Sequence, residues 1–358
     1  GAGSRLLATQ DAKFSYDEEG NLIEKVEKNG DTWKYEYYGN GMMSKVIRPD
    51  LTDVTFKYDS LGRRIEKSSE DKTTHFVWDG NTILHEYSTQ NVADTLDNLK
   101  SSQTDTAIAD NLVTWVFNDS FVPSAKITSE GHYSIITDYL GTPVEAYDEK
   151  GNRVWYAQLD IYGRVKEFTG EKDFIPFRYQ GQYDDVEIGL YYNRFRYYDP
   201  EQGNYTQIDP IGLAGGNPTL YGYVSDPNIY IDIFGLKQGG SYAEVRATNI
   251  GGQVHHMPAN SVSPVSHAKG PAIWMPTPDH LDTASWGSYN KGKQWRAYQK
   301  ELIDNGKFGK AMEIDIRDIQ RKFGSQFNDG IREMLEYAGD NGYITNAEQK
   351  RLTIKYCR

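Results

Sequence analysis

The chain has 358 residues, a formal net charge of −12 and a single cysteine, Cys357. One cysteine excludes an internal disulfide and a zinc site built from several cysteines. No apolar run approaches the roughly 20 residues that a membrane-spanning helix needs, and the first residues lack a charged-then-apolar signal segment.

Charge is distributed unevenly along the chain. Residues 237–358 contain 17 Lys and Arg against 13 Asp and Glu, a balance of +4, which leaves −16 for residues 1–236. Such asymmetry is typical of a nucleic-acid-binding part beside a part with another task. We therefore predict two domains, residues 1–236 and residues 237–358.

The first domain carries an internal repeat. Aromatic residues followed by a Gly-containing turn are separated by 21, 21 and 20 residues: Tyr16, Tyr37, Tyr58 and Trp78. A fixed period predicts a stacked array. Alternating segments such as Asp53–Tyr58 are typical of half-buried strands, so each repeat is predicted to be a β-hairpin. The polar stretch from Ser88 to Asn111 predicts a loop, after which the pattern resumes at Tyr139.

These repeats resemble the YD repeats of the Rhs family. Three later stretches, Phe177–Tyr183, Gly189–Pro200 and Asp209–Leu213, resemble the end of the Rhs core. The resemblance covers residues 14–236 and implies a mainly β shell, an antiparallel hairpin array, around a variable C-terminal toxin.

The resemblance also implies self-cleavage at the end of the core. Asp209, Asp232 and Arg196 match an autoproteolytic aspartate pair and its assisting arginine, and the implied scissile bond joins Leu236 to Lys237. Two close carboxylates cannot both ionise, so one can act as base and the other as acid.

One departure from the family pattern bears on that cleavage. Ile233 stands where the second motif usually has Pro, and the change could alter the turn that places Asp232. The alternative reading is that Asp-Pro and Asp-x-x-Gly are simply turn-forming sequences.

Beyond Leu236 the tyrosine-rich strands end and helical patterns follow. Residues 237–240 predict a flexible joint. Three helices ended by Gly are predicted at Gln294–Asn305, Lys307–Phe323 and Asn328–Ala338. The predicted core includes Met312, Ile314, Ile316, Ile319 and Phe323, together with Trp274, Trp286 and Trp295.

Four of the seven histidines cluster at the start of this domain: His255, His256, His267 and His280. Residues 254–258 and 270–275 predict strands, and Thr277 predicts a helix N-cap before Pro278. The order strand, loop, strand, helix resembles the ββα-metal finger of HNH and endonuclease VII-like nucleases. That resemblance implies a small α+β domain with C-terminal helices.

The same resemblance implies residue roles in metal-assisted phosphodiester cleavage. His256 would be the general base, His255 and His280 metal ligands, and Asp279 or Asp282 further ligands or orienting groups. A neutral imidazole can accept a proton near pH 7 while a divalent ion holds the phosphate. The identity of the ion, Mg, Mn, Zn or Ni, stays open.

The chain departs from the nuclease pattern in two ways. No clear central Asn lies between the strands, and Ala284 stands one turn after His280, where a second helical His is usual. His267 is the weakest member of the cluster. The structural alternative is that these histidines are surface or core residues without a catalytic role.

A basic run follows the cluster. Lys291, Lys293, Arg296 and Lys300 are predicted to position phosphates, although exposed lysines on a helix are also an ordinary solvated face.

We therefore predict the C-terminal region of an Rhs toxin that a secretion machine delivers into the cytoplasm of a competing bacterium. Its target would be nucleic acid, DNA in preference to RNA, and its partners the upstream shell and an acidic immunity protein. The alternatives are an RNase or a metal-independent enzyme, and a non-enzymatic repeat protein of the cell surface.

Overall fold

The computed structural model describes residues 5–91, 111–118, 121–209, 219–224, 227, 231–232, 235–236, 238–247, 252–324 and 326–357. The chain forms two compact units, residues 1–208 with 217–235, and residues 209–216 with 236–358. The division therefore falls between Gly235 and Leu236, one residue before the predicted boundary, and residues 209–216 group with the second unit. No helix in the described ranges is both long and apolar enough to cross a membrane.

The first unit is built on one antiparallel sheet whose fourteen described strands pair in chain order. The strands are β1 (Ala12–Tyr16), β2 (Leu22–Glu27), β3 (Thr32–Tyr37), β4 (Met43–Ile47), β5 (Asp53–Tyr58), β6 (Arg64–Ser68), β7 (Lys72–Asp79), β8 (Thr82–Gln90), β9 (Val113–Asn118), β10 (Val122–Thr128), β11 (Gly131–Thr137), β12 (Pro143–Tyr147), β13 (Arg153–Leu159) and β14 (Val165–Thr169). The predicted hairpin array is confirmed. The predicted loop begins too early, because β8 continues to Gln90; residues 92–110 lie outside the described ranges.

Turn chemistry explains the repeated Asp and Gly. In the β5–β6 turn, Oδ1 of Asp59 accepts hydrogen bonds from the backbone N–H groups of Leu61 and Arg63, both at 2.9 Å. Gly62 has a φ of +74° and lies so close to Phe195 that a Cβ atom would be 2.5 Å from its ring. A side chain at this position would therefore be both strained and crowded.

A second, four-stranded antiparallel sheet follows the array. Its strands are β15 (Tyr183–Asp185), β16 (Leu190–Asn193), β17 (Arg196–Asp199) and β18 (Asn204–Tyr205). We call residues 177–208, which include this sheet, the capping segment.

The capping segment binds the turns at one edge of the large sheet through their backbone carbonyl groups. The Tyr192 hydroxyl donates to the Gly62 carbonyl at 3.3 Å, and the Tyr191 hydroxyl donates to that of Gly163 at 2.9 Å. The Gln180 side chain donates to the Leu140 carbonyl at 2.6 Å. Tyrosine is thus abundant here because a ring and a hydroxyl together fill the gap between the core and a turn.

A buried ion cluster joins the two sheets. Asp185 is completely buried, and its carboxylate accepts hydrogen bonds from Arg64 and, at 2.9 Å, from Lys67. Burial alone would raise the pKa of Asp185, but the two cations hold it below its ordinary value.

The second unit combines a three-stranded sheet, ordered β19–β21–β20, with helices. Its strands are β19 (Gly239–Ser241), β20 (Gln253–His256) and β21 (Pro271–Met275). Its described helices are α1 (Tyr242–Ala247), α2 (Thr277–Asp282), α3 (Asn290–Asp304), α4 (Phe308–Phe323), α5 (Asn328–Asp340) and α6 (Asn346–Tyr356), with one 3₁₀ turn at His267–Lys269.

Several predictions for this unit need correction. Gly239 and Gly240 belong to a strand, not to a flexible joint, and a Cβ atom on Gly239 would overlap the Gly330 backbone of α5. The N-cap of α2 is Pro276, so Thr277 is already helical. Helix α3 begins at Asn290, four residues before the predicted start, and α6 was not predicted.

The core of the second unit contains the apolar face of α4 as predicted. Met312 and Ile316 are completely buried and pack against the sheet and α5 residues Ile331 and Met334. Trp286 does not belong to this core, because 42% of its surface is exposed.

Candidate functional site

Two of the predicted histidines meet at one side of β20. The ring centres of His255 and His280 lie 5.2 Å apart at an angle of 75°. His255 is buried, which lowers its pKa to about 3, with a smaller contribution from His280. Burial also lowers the pKa of His280, whose Nδ1 atom is buried and has no hydrogen-bond partner in the described part of the chain. Both rings are therefore neutral at pH 7 and have lone pairs available to a cation.

His256 lies in a separate group of rings. Its imidazole stacks on Tyr242, with ring centres 4.5 Å apart and planes 8° from parallel. Its Nε2 atom lies 2.9 Å from the carbonyl oxygen of His267. Because a carbonyl only accepts hydrogen bonds, Nε2 carries the proton and Nδ1 keeps the lone pair when the ring is neutral.

Strand geometry separates the two groups. Consecutive side chains of a strand point to opposite faces, so His255 and His256 cannot both turn to the same side of β20. In the antiparallel pairing with β21, His255 lies opposite Ile273 and His256 opposite Ala272. The structure brings His255 to His280 and brings His256 to the predicted weak member, His267.

The two acidic candidates, Asp279 and Asp282, each contact a side chain outside the histidine cluster. Asp279 accepts a hydrogen bond from Gln326 at 3.2 Å, and Asp282 lies 3.9 Å from the Lys322 ammonium. Among the residues that the structure describes, no three His, Cys, Asp or Glu side chains are arranged to hold a metal ion. The candidate metal ligands that come together are the two histidines alone.

The loop after α2 holds the His255–His280 pair in place. The Ser285 hydroxyl lies 3.5 Å from Nε2 of His255, and the Arg296 guanidinium donates to the Ser285 carbonyl. The backbone N–H of Ala284 donates to the buried Asp318 carboxylate at 2.8 Å. Arg296 thus supports the loop from α3.

The remaining members of the basic run lie on the surface of α3. Lys291, Lys293 and Lys300 are exposed, and Lys300 pairs with Asp304 one turn later at 2.8 Å. Two exposed aromatic side chains stand nearby in sequence, Trp286 at 42% and Tyr289 at 77% exposure. The stretch from Trp286 to Lys300 therefore carries exposed cations and exposed aromatic rings.

A second candidate site lies at the end of the first unit. The buried Arg196 side chain donates through Nη2 to the Asp232 carboxylate at 3.3 Å and through Nε to the Gly235 carbonyl. The Tyr205 hydroxyl donates to the same carboxylate at 2.9 Å, and Asn193 donates to the Asp232 carbonyl at 2.8 Å. One arginine therefore contacts both the predicted catalytic acid and the residue before Leu236.

The backbone at this site permits only glycine at position 235. Gly235 has a φ of +63°, and a Cβ atom there would lie 2.6 Å from the Asn193 carbonyl oxygen. Leu236 and Asp209 are buried and belong to the second unit. Ile233 and Lys237 lie outside the described residues.

Sequence reasoning missed Tyr242, Ser285 and Tyr205. Tyr242 precedes His256 by 14 positions and belongs to no motif, so only its position at the start of α1 brings it to the imidazole. For Tyr205 a signal existed, since it lies between Arg196 and Asp209 in the tyrosine-rich end of the core.

Comparison with known families gives a match over most of the first unit. Residues 1–212 match the family described as Teneurin YD-shell. The match ends before the histidine cluster.

Three curated bacterial proteins are similar over about two thirds of the chain. Double-stranded DNA deaminase toxin A of Burkholderia cenocepacia is 34% identical over 258 residues, 67% of this chain and 18% of that protein. Toxin protein Tse5 of Pseudomonas aeruginosa is 31% identical over 66% of this chain and 19% of its own length. The protein named Probable deoxyribonuclease RhsA, from Dickeya dadantii, is 31% identical over 65% of this chain and 16% of its own length. The chain thus spans less than a fifth of each relative.

Proposed function

The chain belongs to the teneurin YD-shell family. We propose that it is the C-terminal region of an Rhs polymorphic toxin whose last domain is a metal-dependent nuclease. The observation that carries the proposal is the His255–His280 pair, with ring centres 5.2 Å apart. Two relatives are named for acting on DNA, as a deaminase and as a deoxyribonuclease. DNA is therefore the proposed substrate.

The two imidazoles fit a shared divalent ion. Two histidines that bind one tetrahedral ion at about 2.1 Å have ring centres about 5 Å apart, close to the observed distance. Both are neutral, as ligands must be, and His280 Nδ1 is a buried atom without a hydrogen bond in the described residues. A bound ion would polarise the scissile phosphate. Asp279 remains a candidate further ligand.

His256 is the proposed general base. With its Nε2 proton held by the His267 carbonyl at 2.9 Å, the imidazole can accept a proton from water at Nδ1. The carbonyl also stabilises the positive ring that results, because it accepts a hydrogen bond from the protonated form.

Two neighbours fix the orientation of that imidazole. Tyr242 covers one face of the ring. A Cβ atom on Gly270 would lie 2.7 Å from Cδ2 of His256, so only glycine leaves room for the ring. Because the ring cannot turn freely, its lone pair stays in one direction.

The nucleic acid itself would be held by the surface of α3. Lys291, Lys293 and Lys300 supply charge for phosphates, and Trp286 and Tyr289 supply faces on which bases can stack. Arg296 is better suited to supporting Ser285 than to binding phosphate.

A nuclease assay with chelation tests the proposal. Purified protein should cleave plasmid DNA, lose activity with EDTA and regain it with one of Mg²⁺, Mn²⁺, Zn²⁺ or Ni²⁺. Calorimetric titration of that ion should show at least tenfold weaker binding to His255→Ala and His280→Ala. The exposed His132→Ala is the matched control. Cleavage that EDTA leaves unchanged would contradict the metal-dependent mechanism, and cleavage of RNA alone would assign an RNase.

We further propose that the chain cuts itself after Leu236. Arg196 holds the Asp232 carboxylate and the Gly235 carbonyl together, which suits an acid that must act on a nearby peptide bond. Asp209 is the proposed second carboxylate. Release of residues 237–358 would free the toxin domain.

Delivery and immunity complete the proposal. A secretion machine would carry the assembled shell to a competing bacterium, where the toxin domain would act in the cytoplasm. The producing cell would then need an immunity protein, for which an acidic surface would complement the balance of +4 in residues 237–358.

A further inference from the structure

Three polar side chains of the four-stranded sheet meet at Asp232. Asn193 and Arg196 are paired residues that close the tight turn between β16 and β17. Tyr205 of β18 pairs with Tyr198, which lies two positions after Arg196 on β17. Paired residues share a face of a sheet, and so do residues two positions apart on one strand. Strand pairing therefore turns Asn193, Arg196 and Tyr205 to the same face.

A directed chain of hydrogen bonds runs from Asn193 through Tyr205 to Asp232. The Asn193 amide donates to the Tyr205 hydroxyl oxygen at 2.6 Å, and that hydroxyl donates to Oδ2 of Asp232 at 2.9 Å. The same amide nitrogen donates to the main-chain carbonyl of Asp232 at 2.8 Å. A carbonyl only accepts, so this contact fixes which end of the Asn193 amide faces the tyrosine. The hydroxyl proton of Tyr205 is thereby directed to the carboxylate.

The surroundings of Tyr205 keep it a donor. It is 3% exposed, and burial together with the Asp232 carboxylate raises the pKa of Tyr205 well above its ordinary value. The Arg196 guanidinium lies over the tyrosine ring, with 3.8 Å between Cζ and the ring centre, and donates to the same Oδ2 atom at 3.3 Å. One oxygen of Asp232 thus receives two donors, and hydrogen bonds to a carboxylate favour its ionised form.

Tyr205 differs in this respect from three other tyrosines of the capping segment. The hydroxyls of Tyr191, Tyr192 and Tyr198 each donate to a main-chain carbonyl in a turn of the large sheet. The Tyr205 hydroxyl donates to a carboxylate instead. A tyrosine that only filled the gap between core and turn would not need an ionisable partner.

We propose that Tyr205 is a positioning residue for the self-cleavage proposed above, on which this inference rests: it keeps Asp232 ionised, so that Asp232 is the base of the reaction. Water adds to the carbonyl carbon of Leu236 and gives a proton to Asp232. The bond to the nitrogen of Lys237 breaks as that nitrogen takes a proton from the second carboxylate. Tyr205 keeps its own proton throughout and acts only through Asp232.

The rate of self-cleavage as a function of pH tests this role in the whole chain. Newly translated protein is diluted into buffers from about pH 4 to about pH 8, and mass spectrometry follows the fragment that begins at Lys237. The wild-type rate should decline as pH falls, because a base must be ionised. Tyr205→Phe should move this decline to higher pH by about one unit. It should therefore cut about tenfold more slowly at the acidic end and at nearly the wild-type rate at about pH 8.

Tyr198→Phe is the matched control. It removes a buried tyrosine hydroxyl from the neighbouring strand, where the bond to the Tyr162 carbonyl is 2.7 Å long, and should leave the pH profile unchanged. Arg196 and Tyr223, whose hydroxyl accepts from the backbone N–H of Asp232 at 3.2 Å, contact Asp232 in both variants. They therefore cannot cause a difference between the two profiles.

A second replacement reverses the expected shift. 3-Fluorotyrosine at position 205 keeps the ring and the hydroxyl but is the stronger hydrogen-bond donor, so it should move the decline to lower pH. This protein decides the question even if Tyr205→Phe does not fold.

The outcomes separate the role of Tyr205 from self-cleavage itself. The inference is overturned if folded Tyr205→Phe cuts at the wild-type rate at every pH, or is slowed by the same factor at every pH, while the wild type is cut. An unchanged profile with 3-fluorotyrosine overturns it as well. A wild-type chain that stays whole at every pH would overturn the self-cleavage, and the role of Tyr205 with it.

Discussion

The Nε2 atom of His256 donates its proton to the main-chain carbonyl of His267, 2.9 Å away. The contact depends on the backbone at position 267 and not on its side chain. The orientation of His256 therefore does not need the His267 imidazole, although both imidazoles pack with Tyr242 in one cluster of rings.

His256→Ala should lower the rate of DNA cleavage by about 100-fold or more, the usual contribution of a general base. Metal affinity should be unchanged, because His255 and His280 lie at the other side of β20. Matched cleavage and calorimetric titrations measure the two effects. His267→Ala keeps the carbonyl and should retain most of the activity; equal losses in the two variants would argue that the ring cluster is only structural.

Asp232→Asn should stop self-cleavage of the chain. Wild-type protein should yield a fragment that begins at Lys237, visible by mass spectrometry, because Arg196 aligns Asp232 with the Gly235 carbonyl. Glu201→Gln, which changes a surface partner of Arg164 in the same unit, should leave the cut intact. A wild-type chain that stays whole but is cut after Ile233→Pro would place the defect at Ile233.

Asp185→Asn should destabilise the first unit by about 3–5 kcal/mol, the usual effect of leaving buried cations without their carboxylate. Arg64 and Lys67 would both lose their shared partner. Urea unfolding followed through the β-sheet circular dichroism measures the loss. Glu66→Gln removes a half-buried partner of the exposed Lys57 and should change stability little. Similar losses in both variants would contradict a special role for the buried cluster.

Asp315→Asn should remove a pH dependence from the stability of α4. Burial raises the pKa of Asp315 to about 7, although Trp295 and Gln299 donate to its carboxylate. The folded state therefore keeps a proton that the unfolded chain releases at about pH 4, so stability falls as pH rises from about 4 to 7 and is level above it.

Hydrogen exchange of α4 across that pH range checks the sign. The free energy of opening in Asp315→Asn relative to the wild type should grow by up to about 1.4 kcal/mol per pH unit between pH 4 and 7. Parallel pH curves for the two proteins would show that Asp315 is ionised in the folded state as in the unfolded chain.

The hairpin array could be predicted from the sequence because each strand pairs with the next one in the chain. An Asp, a Gly and an alternating segment suffice to specify such a local unit, as β5 and β6 show. The hydrogen bond between Tyr192 and Gly62 joins residues 130 positions apart. A hydrogen bond from a tyrosine hydroxyl to a main-chain carbonyl produces no periodic pattern in the sequence.

The histidine site was predictable in position but not in arrangement. The strand, loop, strand and helix order is confirmed, and it brings His255 to His280. The alternation of side chains along β20 already implied that His256 faces away from His255. The ββα-metal motif, however, assigns His255, His256 and His280 to one site. The exposure of Trp286 escaped prediction because it lies in a loop, where no helical period assigns a face.

The hydrogen bonds from the capping segment to the turns have an evolutionary consequence. Each hydroxyl or amide meets the carbonyl of one particular hairpin, so a duplication or loss of a single repeat would shift every later turn away from its partner. The array is built from one repeated hairpin, yet the contacts of the capping segment require a fixed number of hairpins. Genetic exchange that swaps whole C-terminal domains can preserve this register, whereas exchange within the repeats would break it.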